Sequence, residues 1–248
     1  MYTKSELNQY LKGLGINPKG TLKVHLSYKS IGGVEGGPQV VVDALMEFMK
    51  DGLLVLPAHT WDNVRAGNPV MDVLYTPTCV GVTTEIFRKQ PGIHRSWHPT
   101  HSVAAVGEGA EEFVEGEHLI NTPCGKGGTY YKLWERDAQI LLIGVNFMRN
   151  TFIHGIEEWD GAVGILNPEF ADYYMITPDG KRWHTPQYRH CSPLGSRTFT
   201  KLEPQALQEG ILTLGRFGDA TTRLMSARKL REMVAPLLAE DSEYLERY

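Results

Sequence analysis

Cysteine is scarce in this chain of 248 residues. Cys79, Cys124 and Cys191 are too few and too scattered for a disulfide framework. No apolar run approaches the length of about 18 residues that a membrane-spanning helix needs. The opening residues, Met1-Tyr2-Thr3-Lys4-Ser5-Glu6, contain no apolar signal region. A cytoplasmic protein is expected. Basic charge is not in excess either: 25 Lys and Arg stand against 29 Asp and Glu, a net charge of -4. That gives no electrostatic case for nucleic acid, although it would tolerate a cationic small molecule. Repeats, low-complexity tracts and linkers are also missing, so one domain over residues 1–248 is expected, long enough to bury a sizeable core. With 42% hydrophobic and 22% charged residues, the composition argues against disorder.

What is present reads as alternating strands and helices. Thr3 and Glu6 form a capping-box pattern ahead of a short helix ending near Gly13-Leu14-Gly15. Thr21–Leu26 reads as a strand, followed by a glycine-rich loop from Ser27 to Gly37. Pro38 then stands at the start of a helix with apolar Val41, Val42, Leu45, Phe48 and Met49 on one face. Gly52–Pro57 is the next strand, and the strand-helix-strand order predicts two parallel neighbours. Residues 58–80 read as a long polar loop, of the kind that is functional or mobile. A helix at 81–89, a strand at 102–106, a helix at 127–135 and a buried strand at 139–145 follow. Pro178-Asp179-Gly180 marks a hairpin between 173–177 and 181–185. A strand near 211–215 and a long helix from Thr221 to Leu238 close the chain.

The most informative stretch is Asn150-Thr151-Phe152-Ile153-His154-Gly155-Ile156-Glu157-Glu158, directly after the buried strand. If it opens a helix, Thr151, His154 and Glu157 or Glu158 share one face within a turn. An imidazole beside a carboxylate is the kit for a general base whose tautomer is held by an acid. A helix start with an N-cap threonine and first-turn acids fits the same spacing. Other motifs say less. Glycines between a strand and a helix at Ser27–Gly37 allow backbone N–H groups to approach an anion, but a geometric turn explains them equally. Gly125-Lys126-Gly127-Gly128-Thr129 lacks the phosphate-loop spacing and reads as a turn opening a helix. His94, His98 and His101 suggest metal ligands, yet Pro99 disfavours a helix through them, which favours loop histidines near a site. Cys191 beside His190 reads as a packed cysteine rather than a nucleophile.

Together these segments resemble a known family. Val24-His25-Leu26-Ser27-Tyr28-Lys29-Ser30-Ile31-Gly32 followed by Glu35-Gly36-Gly37 is similar to the N-terminal signature of the aminoglycoside N(3)-acetyltransferases. So are Gly52–Pro57 with His59-Thr60, Gly81–Arg88 continuing into Arg95–Ser102, Leu141–Val145 leading into Asn150–Glu157, and Gly215–Ala220 with Arg223–Met225 and Ala227-Arg228. Five collinear blocks span almost the whole chain. Tyr28 and Leu26 depart from the signature, and residues 159–205, where the family shapes its acceptor pocket, resemble it least.

The resemblance implies an α/β fold, a single domain with a mixed sheet flanked by helices. It also implies acetyl transfer from acetyl-coenzyme A to an aminoglycoside amine, an acyltransferase activity that confers antibiotic resistance. Carried over, His154 is the general base, Glu157 its orienting carboxylate and Thr151 a helper at the reacting centre. Coenzyme A is expected at His25, Ser27, Tyr28, Lys29, Ser30, Ile31, Gly32 and Gly33, with Thr60, Arg95 and Ser102. A polycationic acceptor needs carboxylates and polar groups around its amines, and Asp62, Asp72, His98, Glu158, Asp160 and His190 are the candidates. No metal, nucleic acid or membrane is expected as a partner, and the chain is expected to act as a monomer or homodimer. Three alternatives stand beside this reading: another amine metabolite as acceptor, a metal-dependent hydrolase built on His94, His98, His101 and Asp72, and a coenzyme A-binding protein without catalysis.

Overall fold

The computed structural model describes residues 1–248. Helix α1 (Lys4–Gly13) starts at the Thr3/Glu6 capping box and precedes β1 (Thr21–Leu26). Helix α2 (Pro38–Phe48) crosses over to β2 (Leu53–Pro57), which pairs parallel with β1 as the strand-helix-strand order requires. Then come β3 (Val70–Asp72), α3 (Val82–Phe87), β4 (His94–Arg95), β5 (Val103–Gly107) and α4 (Ala110–Val114). Helix α5 (Thr129–Glu135), β6 (Gln139–Ile143) and α6 (Phe152–Trp159) follow, then β7 (Tyr174–Ile176) and β8 (Arg182–His184). Helix α7 (Glu203–Gln208), β9 (Leu212–Phe217), β10 (Ala220–Ser226) and α8 (Ala227–Glu240) close the chain. No helix is long and apolar enough to cross a membrane.

Seven strands form one mixed sheet in the order β4-β5-β2-β1-β6-β10-β9. The central three are parallel, and the strands flanking them on each side run antiparallel. Because side chains alternate across a strand, each central strand feeds two cores. Leu54, Leu56, Leu141 and Ile143 pack under α1 and α2, whereas Leu53, Val55, Ile140 and Leu142 pack under α5, α6 and α8. In β1 the same alternation sends Leu22 and Val24 to the first core. Lys23 and His25, at odd positions, lie out of register with them, and Lys23 Nζ sits 5.4 Å over the Tyr130 ring without a hydrogen-bond partner.

Two elements differ from the sequence expectation. Ala220–Ser226 is strand β10, not the first turns of the last helix; Thr221 and Thr222 are β-branched, and the segment bonds β6 on one side and β9 on the other. The helix begins only at Ala227, where the Ser226 side chain accepts from Lys229 N–H. The long loop 58–80 contains β3, which pairs parallel with β7; β7 in turn forms the expected hairpin with β8. This second, three-stranded sheet buries Val64, Met71, Tyr173 and Met175.

One backbone position at the sheet edge tolerates no side chain. Gly107 ends β5 at φ 108°, and a Cβ there would lie 1.9 Å from the carbonyl oxygen of Gly52. Both strain and clash with rigid backbone oppose substitution, so Gly107→Ala should destabilise by at least about 1–3 kcal/mol. A urea unfolding midpoint equal to wild type would refute this.

Candidate active site

The carboxyl ends of the three parallel strands open into one cavity of about 1080 Å³, the usual ligand position in an open α/β sheet. His25 and Leu26 come from the end of β1, Pro57 and His59 from β2, and Gly144 and Val145 from β6. Gly144 turns the chain at φ 64°, and its missing Cβ leaves room for Ser30, whose own Cβ would be 2.3 Å away. A short 3-10 turn, Phe147–Arg149, then delivers Thr151 and α6 to the cavity rim.

Helix α6 is amphipathic in an unusual sense. Phe152, Ile153, Ile156 and Trp159 anchor it in the core, while its polar side chains are held by buried hydrogen bonds. His154 Nδ1 and Glu157 Oε2 are 2.7 Å apart; the imidazole side chain is 16% exposed and the carboxylate 2%. Glu158 turns the other way. Its Oε1 accepts from Cys124 N–H at 2.9 Å and meets His190 Nε2 at 2.7 Å. The His154 and His190 rings lie 4.5 Å apart, and His154 packs edge-on against Phe199. Thr151 occupies the N-cap position, but its side chain makes no capping hydrogen bond, so the hydroxyl is not committed to the helix end.

A row of imidazoles continues along the wall: His190 to His101 at 5.5 Å, His101 to His59 at 4.9 Å, and His59 Nε2 to the Tyr130 hydroxyl at 2.7 Å. Burial, reinforced by neighbouring cationic groups, holds His25, His59 and His101 well below the usual histidine range. Burial and then the proximity of His154 lower His190, against the pull of Glu158. Lys29, Arg149 and Arg189 also line the cavity, and no carboxylate does.

Residues 24–239 match the family model of the aminoglycoside 3-N-acetyltransferases. The chain belongs to this family. It is 30% identical to aminoglycoside N(3)-acetyltransferase IV of Salmonella sp, over 92% of this chain and 84% of that protein. It is 28% identical to the SPbeta prophage-derived aminoglycoside N(3')-acetyltransferase-like protein YokD of Bacillus subtilis (strain 168), over 90% and 88%. Its fold matches the crystal structure of a mutant of aminoglycoside acetyltransferase AAC(3)-IVa in complex with a gentamicin, with TM-score 0.84 and 26% identity. The match covers 98% of this chain and 91% of that one.

Within this member of the acetyltransferase family, the residues singled out by sequence fall into three groups. At the cavity are His25, Ser27, Tyr28, Lys29, Thr151, His154 and His190, with Glu157 and Glu158 immediately behind their histidines. A second group braces the wall from behind. Ser30 donates to Ser27 Oγ and Gly144 O, Ile31 is buried in the core, and Thr60 donates to Pro99 O. Arg95 donates to the carbonyls of Ala58, Val73 and Thr76 and to Ser102 Oγ, while Ser102 itself donates to Ala58 O. Burial lowers the Arg95 guanidinium to about 9. Arg95, Ser102 and Thr60 thus shape the backbone after β2 and are absent from the cavity lining.

A third group lies elsewhere. Gly32 packs on Asp219 and Gly33 beside Met1, so the later part of the glycine loop turns away from the cavity. Asp62 is exposed outside the lining, Asp72 accepts from the N–H groups of Leu74 and Tyr75, and Asp160 pairs in bidentate fashion with Arg231. His98 uses Nε2 on Thr122 O and Nδ1 on two backbone N–H groups, and His94 lies on β4 by a separate recess. The four residues of the hydrolase alternative therefore do not converge. Cys191 is exposed rather than packed. His101, expected only as a loop histidine near a site, lines the wall, as do His59, Arg149, Tyr173 and Arg189, which were not singled out as site residues. His59 and Arg149 carried a signal, since each stands just beyond a buried strand.

The buried histidines make stability depend on pH. His25, His59, His98 and His101 titrate below their unfolded values, His98 at about 4, so unfolding takes up protons in acid. Their contribution is fully present above the unfolded histidine value and is lost as pH falls toward 4. Glu117, raised to about 7 by burial, acts in the opposite sense as pH rises from its unfolded value, but it is one group against five, since His190 is lowered as well. The urea midpoint should fall as pH drops below the ordinary histidine value of about 6.5, and His101→Gln should flatten that fall. A midpoint independent of pH across this window would contradict the assignment of neutral buried imidazoles.

Proposed function

We propose that this chain transfers the acetyl group of acetyl-coenzyme A to an amine of an aminoglycoside, at position 3, with His154 as general base. The observation that carries the proposal is the His154–Glu157 pair, set at the wall of a cavity at the carboxyl ends of the parallel strands. An ammonium is not a nucleophile, so a proton acceptor must face it. Glu157 fixes Nδ1 of His154 as the protonated nitrogen, leaving Nε2 for the acceptor amine, and its charge stabilises the imidazolium as it forms. The Thr151 hydroxyl, unused as a helix cap and beside the Tyr130 hydroxyl, is suited to the carbonyl oxygen on which negative charge develops.

The same cavity suits the acetyl donor. Acetyl-coenzyme A supplies the activated acyl group; its phosphates need cations, and Lys29 and Arg149 are at hand. His25 lines the cavity with a buried Nε2 that has no protein partner, open to an amide of the pantetheine arm. The aminoglycoside acceptor finds support in the gentamicin complex of the AAC(3)-IVa mutant.

Thiol release from acetyl-coenzyme A with a panel of aminoglycosides tests the reading. His154→Ala should lower turnover by about 10²–10⁴-fold, the usual worth of a general base, with coenzyme A affinity by calorimetry unchanged. Glu157→Gln should cost less, because the imidazole remains. A His154→Ala enzyme with near-wild-type turnover would remove the histidine from this role.

A second reading keeps the chemistry and changes the acceptor to an amine bearing few positive charges. It is favoured by a lining that holds three cationic side chains and no carboxylate. Ionic strength separates the two, because exposed charges are screened over about 8–10 Å at ordinary salt. For a polycation drawn by the acids around the site, KM should rise with salt. A KM that stays flat or falls favours the acceptor of low charge.

A further inference from the structure

We infer that His190, backed by Glu158, is a second proton acceptor for the reaction, taking the proton that turns the incoming ammonium into a nucleophilic amine. The inference rests on the acetyl-transfer reading. An amine that arrives as an ammonium loses two protons on becoming an amide. The N–C bond forms, the C–S bond breaks with its electron pair passing to sulfur, and sulfur takes one of the two protons. The other leaves the site. A single base would have to accept, discharge and accept again. Otherwise it must wait for the neutral amine, which for an alkylammonium of pKa near 10.4 is below about one part in a thousand at neutral pH.

The cavity wall holds two acceptors of matching construction. His154 and His190 each bind a nearly inaccessible carboxylate at 2.7 Å, and their side chains are similarly exposed, 16% and 15%. Nδ1 of His154 is taken by Glu157 and Nε2 of His190 by Glu158, which leaves each ring one nitrogen for proton exchange. His190 is fixed in place by backbone pairing with Leu166, and Cys191 N–H bonds Ile165 O. Two imidazolium ions 4.5 Å apart would repel strongly in a dry wall, but two buried carboxylates behind them balance both charges. Glu158 carries a further sign of this role. Its Oε2 is buried with no partner, so a proton on the adjacent ring supplies the positive charge that carboxylate lacks.

The ionisable groups facing His190 are His154 and Glu158, with Glu157 behind them, His98 and His101 on the neighbouring segment, Arg189 beside it in the wall, and the Cys124 thiol, within 4.8 Å of the His190 and Glu158 polar atoms and held well above its usual range by burial. In the sequence of steps, His190 takes the first proton and releases it to solvent. His154 takes the second as the N–C bond forms and hands it to the departing sulfur.

The test is the shape of the pH profile of kcat/KM with a good acceptor, from about pH 6 to about 10, spanning imidazole and amine titrations. Wild type should level off above the imidazole range. His190→Gln should be slower near neutrality by about 10²-fold or more. It should then climb about tenfold per pH unit until the amine itself titrates, and approach wild type there. Glu158→Gln, which keeps the imidazole, should shift in the same direction by less, and it carries the test if His190→Gln melts early. A His190→Gln profile parallel to wild type at every pH, or a variant as fast as wild type at neutrality, would overturn the inference and leave the histidine as packing or as an ammonium ligand. If wild type acetylates no amine at all, the acetyl-transfer reading falls first, and this one with it.

Discussion

Glu157 and Glu158 stand side by side in α6 with their carboxylates almost wholly out of water, and much of the site follows from that burial. A buried carboxylate is tolerable only with hydrogen-bonded or charged partners. Consecutive helical residues point roughly 100° apart, so the two acids must find separate ones. Glu157 reaches back one turn to His154. Glu158 looks off the helix, to the N–H of Cys124 and to His190. The segments around Cys124 and His190 are thereby tied to one helix, and the cavity is closed on that side by chain otherwise far apart in sequence. Trp159 adds a further tie by donating to Cys124 O.

The interior behind this wall is polar for a related reason. Strand alternation places Lys23 and His25 off the first core's face, and Lys23 finds only the Tyr130 ring above its amine. Burial disfavours charge on both, so each is held well below its usual range. His59 and His101 behave alike. The result is a wall of neutral imidazoles near the reacting centre, with net negative charge confined to the two carboxylates behind it and positive charge to Lys29, Arg149 and Arg189.

Local signals in the sequence were reliable where the deciding interaction was local. The capping box at Thr3 and the hairpin at Pro178-Asp179-Gly180 depend on residues a few positions apart, and the β1-α2-β2 unit on elements consecutive in the chain. The last helix was misplaced at its start because Ala220–Ser226 has no local feature that forbids a helix. Its β-branched Thr221 and Thr222 lean toward a strand, and the hydrogen-bonding edges of β6 and β9 decide it. Strand β3 was hidden inside the polar loop for the same reason, since its partner β7 lies about a hundred residues downstream.

The sequence by itself determined the family, through five collinear blocks, and put an imidazole and a carboxylate on one face of α6, because residues three or four apart on a helix are neighbours. Spacing alone left open whether Glu157 or Glu158 would meet His154, since spacings of three and four share a face; the family resemblance pointed to Glu157. The tertiary structure decided that, by offering Glu158 a second histidine from a segment with no helical relation to it. It also decided the character of the cavity. Asp62, Asp72 and Asp160 were chosen as pocket acids by position in loops, but each answers to its own surroundings: solvent, a turn, and the Arg231 side chain. Charges on a wall are set by which side chains fold toward it, and that is a property of packing between distant elements, which no single stretch of sequence contains.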